Sequence, residues 1–206
     1  NNAVLGAYAE LHSNVLVISI QNAVRTEATF AKQVGRAPQY FSLGELTNNM
    51  IEETNVSYQR VEPVGSMLLG LYLAENVFGR DDYEIVFVSS YRESWKNDRY
   101  EYGRALLDAH QTVFAHLLRY AKAHRKKSVV LSKGKVAKEG EHYAEEKEFY
   151  HQLAKGAEFT IVSTVKDTFK SYRTALNANL VIAIDSTLAY EVLSVGRKTI
   201  FGWVSN

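Results

Sequence analysis

From Tyr83 onward, short apolar runs alternate strictly with helical patterns, and no other feature of the chain limits its fold as much. The runs are "YEIVFVSS" (83–90), "SVVLS" (128–132), "EFTIVS" (158–163), "NLVIAID" (179–185) and "KTIFGW" (198–203). They are almost continuously apolar, so both faces of each strand need cover. Helical patterns at 99–124, 145–156, 167–178 and 186–196 separate them. A β-α-β-α order of this kind predicts an α/β fold with a doubly wound, Rossmann-like parallel sheet and right-handed crossovers. The expected strand order is 3-2-1-4-5.

The helices carry their own signals. In 99–124, Leu106, His110, Val113, Leu117 and Ala121 form one stripe, which makes His110 a packed, hydrogen-bonded residue rather than a metal ligand. The helix at 145–156 opens on acids and stops at Gly156; the helix at 186–196 stops at Gly196. Asp167 is placed to cap the helix at 167–178. The basic "HRKKS" (124–128) complements the negative end of its helix.

The first third has fewer helices and more loop. Its strand-like runs are "VLVISI" (15–20), "PQYFSL" (38–43) and "VSYQRVEPV" (56–64), and 65–82 reads as a connection. The expected division is a partial α/β domain with linker over 1–75 and a nucleotide-binding domain over 83–206. With 206 residues and a net charge of +1, the chain lacks the electrostatic pull expected of a nucleic-acid binder. It has no cysteine, which excludes disulfides and thiolate metal sites. No apolar run is long enough to span a membrane, and no signal peptide is visible, so the cytoplasm is the expected compartment. A first residue that is not Met suggests a piece of a longer chain. Its six histidines include no pair at i,i+4 and no HExxH, so no metal site is expected.

In a doubly wound sheet, ligands sit outside the carboxyl ends of the strands. The residues leaving those ends are Ser89, Ser90, Tyr91 and Arg92, then Lys133 and Lys135, then Ser163 and Thr164, then Asp185, Ser186 and Thr187. The last three open a helix whose free N–H groups, including that of Leu188, suit an anion. Leu188, Val192 and Val195 are expected to face the sheet, with Thr187, Tyr190, Glu191 and Ser194 on another side. A carboxylate cannot favour phosphate, but Glu191 can accept two ribose hydroxyl hydrogens. Phosphate at the turn and a diol acceptor a turn later describe a nucleotide. The plain alternative is a capping Ser186 and a solvated Glu191. In the first third, Gln21, Asn22, Arg25 and Glu45 also leave strand ends. Glu45 equally suits the start of a helix at 46–54.

The stretch "ANLVIAIDSTLAYEVLSVGRKTIFG" resembles the nucleotide-sugar domain of GT-B glycosyltransferases, most closely those of bacterial surface-carbohydrate synthesis that include the β-Kdo transferases. "ISIQNAVR" (18–25), "YFSLGEL" (40–46), "VEPVGS" (61–66) and "IVFVSSYRES" (85–94) are similar to the same group. The resemblance implies a nucleotide-sugar donor, CMP- or UDP-linked, bound between an acceptor-side domain and a donor domain. It implies a glycan or glycolipid acceptor, no metal or other cofactor, and no nucleic acid. It places the protein in the cytoplasm or at the inner face of the bacterial membrane, with peripheral membrane association through parts outside this chain. The Ser186–Thr187 turn would meet the donor phosphate, Glu191 the ribose, and Ser163 and Thr164 the base. Gln21, Asn22, Arg25 and Glu45 would serve sugar or acceptor. The chain departs from the pattern at Ala23, where glycine is usual after Gln-Asn or Gln-His. Asn22 cannot act as a base, which weighs against the alternative readings as a UDP-sugar 2-epimerase or a polyol-phosphate transferase. A further alternative is an inert nucleotide- or glycan-binding domain.

Overall fold

The computed structural model describes residues 2–12, 14–24, 36–53, 57–75, 83–92, 95, 101–131, 141–164 and 169–203. The chain forms two compact units, Asn1–Glu75 and Asn76–Asn206.

The first unit runs α1 (Asn2–Leu11), β1 (Ile18–Ile20), β2 (Arg36–Ser42), α2 (Glu45–Glu52), β3 (Ser57–Pro63) and α3 (Met67–Glu75). Its three strands are parallel, in the order β1-β2-β3. Tyr40 and Ile51 form a small core, with the Tyr40 and Tyr58 rings stacked 4.5 Å apart. The sequence reads 65–82 as a connection, yet Met67–Glu75 is helical. Ser66 is the reason: its Oγ accepts the Leu69 N–H at 3.2 Å, as an N-cap serine does three residues on. Leu69 and Tyr72 are then buried.

The second unit runs β4 (Ile85–Val88), α4 (Glu101–Ala123), β5 (Ser128–Leu131), α5 (Glu141–Ala154), β6 (Thr160–Val162), α6 (Lys170–Leu176), β7 (Leu180–Ala183), α7 (Thr187–Ser194) and β8 (Thr199–Phe201). The five strands are all parallel and lie in the order β6-β5-β4-β7-β8. This is the 3-2-1-4-5 order that the alternation predicts. Ile85, Phe87, Val130, Ile182 and Ile184 pack with Leu106, Phe114, Leu117 and Leu118 of α4 and Phe149 and Tyr150 of α5. The alternate residues Val86, Val129, Val181 and Ala183 are equally buried, beneath an opposite layer whose α6 and α7 bury Leu176, Ala189 and Val192. Asp167, the expected cap of α6, lies outside the described residues; the N-cap position is held by Phe169, without a side-chain bond.

At the amino end of the sheet, the Glu84 carboxylate takes the Lys126 ammonium at 2.6 Å and the Lys127 N–H at 3.1 Å, tying the start of β4 to the start of β5. These two bonds hold its carboxyl below the usual carboxylate range.

Two helices close with the same six-to-one backbone bond. At α7, Arg197 N–H reaches Val192 O at 3.3 Å, with Gly196 left-handed at φ 80°. At α4, Lys126 N–H reaches Ala121 O at 2.8 Å, but the left-handed residue is Arg125, at φ 53°. Glycine adopts this conformation freely; an L side chain does so at a cost. Arg125→Gly is therefore expected to stabilise the protein by about 0.5–1 kcal/mol, read as a rise in the thermal midpoint. An unchanged or lower midpoint would mean that the arginine side chain offsets its backbone strain.

Candidate functional site

The register of the second sheet sets the geometry. Val162, Leu131, Val88, Ala183 and Phe201 pair successively across the strands and form its last rung. Everything beyond that rung is the carboxyl rim. β4 continues to β5 and β6 on one side, and the chain then returns to β7 and β8 on the other. The order reverses between β4 and β7, and there the helices that follow the two strands lie on opposite faces. A crevice at that point is the ordinary ligand site of such a sheet.

On the β7 side, the chain passes through buried Ile184 and exposed Asp185 into α7. Ser186 holds the N-cap position in an extended conformation, φ −151° and ψ 123°, but its side chain makes no capping bond. Its carbonyl accepts the N–H groups of Ala189 and Tyr190, at 3.1 and 3.4 Å. The amide of Leu188 makes no such bond among the described residues and lies at the positive end of the helix. The face buried by α7 is set by Ala189 and Val192, both fully covered. Leu188 is half-buried. Val192 of the expected stripe is fully covered and Val195 half-buried, with the small Ala189 buried beside them and Leu193 exposed.

Glu191 shares a face with Thr187, about 6 Å further along the axis. It is not a solvated surface acid. The buried Tyr172 of α6 directs its hydroxyl between the two carboxylate oxygens, at 3.0 Å from each. The shared proton fixes the orientation of the group.

On the β4 side the rim residues divide. Ser89 is buried, and its Oγ accepts the Tyr150 hydroxyl at 2.8 Å and the Tyr91 N–H at 3.2 Å. Burial pushes the Tyr150 phenol well above its usual range, so it stays a neutral donor. Tyr91 is buried too, stacked on Phe149 at 4.6 Å. Both side chains thus support the core. Ser90 and Arg92 remain at the surface, half-buried and exposed respectively. Beneath Ser90 lies His110, fully buried. Its Nδ1 sits 2.7 Å from the Leu106 carbonyl, which can only accept, so Nδ1 carries the proton. Nε2 is then an acceptor for the Ser90 hydroxyl at 3.1 Å and the Ser90 N–H at 3.3 Å. A histidine on an apolar stripe thereby fixes the first residues after β4.

Ser163 and Thr164 are half-buried at the end of the edge strand β6, two strands or about 10 Å from β4. Lys133, Lys135 and Arg25 lie outside the described residues. In the first unit, Gln21 is buried and spends its amide locally. Its Oε1 accepts the Leu43 N–H at 2.9 Å, and its Nε2 donates to the Ala23 carbonyl at 2.9 Å. This clips the exit of β1 to that of β2. Asn22 is exposed at the same sheet end, and exposed Glu45 is the first residue of α2 after an uncapped Gly44.

A family model described as "putative O-antigen biosynthesis protein" matches residues 41–204. The chain belongs to this family. That membership ties the protein to surface-polysaccharide biosynthesis, the setting that the resemblance of its last motif implies. Residues 41–204 include the whole carboxyl rim and the α7 turn. No curated protein matches the chain. Among the described residues, no helix of this O-antigen family member is long and apolar enough to cross a membrane, and no three His, Cys, Asp or Glu residues group as metal ligands would.

The sequence does not single out Tyr172 or Trp203. Tyr172 sits on an ordinary helical stripe, and only the packing of α6 on α7 turns its hydroxyl toward Glu191. Trp203 follows Gly202, whose N–H bonds the Ala183 carbonyl at 2.9 Å, so its half-exposed indole stands at the rim beyond β8. Gly202 itself is a place of close approach: a Cβ there would meet Val113 Cγ2 at 2.7 Å.

Proposed function

We propose that this chain carries the donor side of a nucleotide-sugar glycosyltransferase of O-antigen synthesis. The observation that carries the reading is the pairing, on one face of α7, of an uncapped helix start with a carboxylate held in place by Tyr172. The donor's phosphate takes the α7 N–H groups, and Glu191 takes the ribose diol. The acceptor hydroxyl attacks the anomeric carbon while the bond from that carbon to the phosphate oxygen breaks, and the nucleotide leaves with the electron pair. Amide donors aimed at the leaving phosphate stabilise the charge that develops there. A CMP-linked donor such as CMP-Kdo is the version favoured by the resemblance. The resemblance assigns Asn22 and Glu45 to sugar or acceptor.

Turnover of a panel of CMP- and UDP-sugars, with a surface-glycan acceptor, tests the reading. One donor should be consumed with release of its nucleotide. Asn22→Ala and Glu45→Gln should lower turnover far more than nucleotide affinity, since they leave the α7 contacts untouched. Nucleotide binding without turnover of any donor would leave an inert binding domain instead.

A further inference from the structure

At the opposite end of the second sheet, under the amino ends of β5 and β6, lies a cleft of about 1400 Å³. Arg119, Lys122, Arg125, Lys126, Lys127 and Lys155 line it, from the carboxyl ends of α4 and α5. Helix dipoles do not account for six cations. Two helix ends supply about one unit of negative charge between them. Of the nearby carboxylates, Glu84 is committed to Lys126, and Glu158 makes no ion pair among the described residues. Lys122, Arg125, Lys127 and Lys155 likewise have no carboxylate partner among the described residues, which leaves roughly three positive charges unbalanced. The whole chain carries only +1, so among the described residues the excess is concentrated at this cleft.

Two further observations point to a ligand. Ser128, nine-tenths buried at the cleft, has a hydroxyl without a hydrogen-bond partner among the described residues. Arg125 occupies a left-handed position where α7 uses glycine, a backbone cost that places a guanidinium at the cleft. The lining also includes the apolar Leu118, Leu153, Ala154 and Phe159. Cations beside apolar lining suit an amphiphile with an anionic head better than a hydrophilic polyanion.

We propose that this cleft binds the phosphate headgroup of an anionic membrane lipid and so holds the domain at a membrane surface, with the carboxyl rim at the far end of the sheet. The inference stands independently of the donor-site reading. Each lysine or arginine near an anionic surface contributes about fivefold to partitioning, and salt screens the contribution.

Co-sedimentation of the full chain with phosphatidylcholine vesicles, with and without phosphatidylglycerol, tests it. The protein is expected to bind only the anionic vesicles and to dissociate at high salt or with excess inorganic pyrophosphate. The triple variant Lys122→Glu/Arg125→Glu/Lys127→Glu should partition at least a hundredfold more weakly, with its far-ultraviolet circular dichroism unchanged. Arg125→Gly should bind about fivefold more weakly even as its thermal midpoint rises, a combination that general destabilisation does not produce. Equal binding to neutral vesicles, full binding by the triple variant, or pyrophosphate binding without vesicle binding would each overturn the proposal.

Discussion

If Glu191 holds the ribose as proposed, Glu191→Ala is expected to weaken nucleotide binding by roughly 1–3 kcal/mol, the scale of hydrogen bonds lost to a charged group. The substitution leaves the buried Ala189–Val192 face of α7 intact, so the fold survives. Tyr172 then loses its acceptor, which adds a small stability cost without touching the ligand. A companion change separates the two halves of the site. Thr187→Pro removes one N–H from the start of α7. Proline is compatible with the first helical position, and the extended Ser186 before it already has the conformation that proline demands. Titration calorimetry with cytidine, uridine, CMP and UDP distinguishes the roles. Glu191→Ala should weaken nucleosides and nucleotides alike, because it removes the ribose acceptor. Thr187→Pro should weaken only the phosphate-bearing ligands. A Glu191→Ala protein with unchanged affinity, or a Thr187→Pro protein that loses nucleoside binding equally, would defeat the assignment of phosphate to the turn and ribose to the carboxylate.

Phe87→Ala costs about 3–5 kcal/mol of folding stability, the range for a large buried aromatic cut to a methyl. Phe87 is fully buried at the centre of the sheet. Its ring meets Phe114 at 5.5 Å, His110 at 5.8 Å and Tyr150 at 6.0 Å, each from a helix on the same face. The cavity therefore opens where α4 and α5 converge, and neither helix can close it without leaving the other's contacts. The loss also reaches the rim, since His110 holds Ser90 and Tyr150 holds Ser89. Denaturant unfolding should show a lower midpoint with a similar slope. A cost below about 1 kcal/mol would show that the core repacks around the gap.

The strand order was legible because its cause is local. Continuous apolar runs such as "IVFV" and "LVIA" must be covered on both faces, and helices alternating with them leave few right-handed arrangements. The turn at Asp185–Thr187 was legible for the same reason, being a strand, a polar break and a helix in immediate succession. The roles of individual rim residues were not. Ser89 and Ser90 are neighbours of one type just past β4, yet Ser89 is buried against Tyr150 and Ser90 is half-exposed over His110. The register of one strand against two helices decides this, and no spacing encodes it. Glu191 becomes an oriented carboxylate only because α6, some twenty residues earlier, packs its Tyr172 beside it. The cleft of cations below the sheet arises in the same way. The run at 124–127 reads as an ordinary helix end, and only the approach of α5 brings Lys155 and apolar lining to it. Local pattern fixed which elements form and in what order, because hydrophobic periodicity is a property of neighbours. The tertiary structure decided which polar groups meet, because that depends on how elements far apart in the chain rotate and pack.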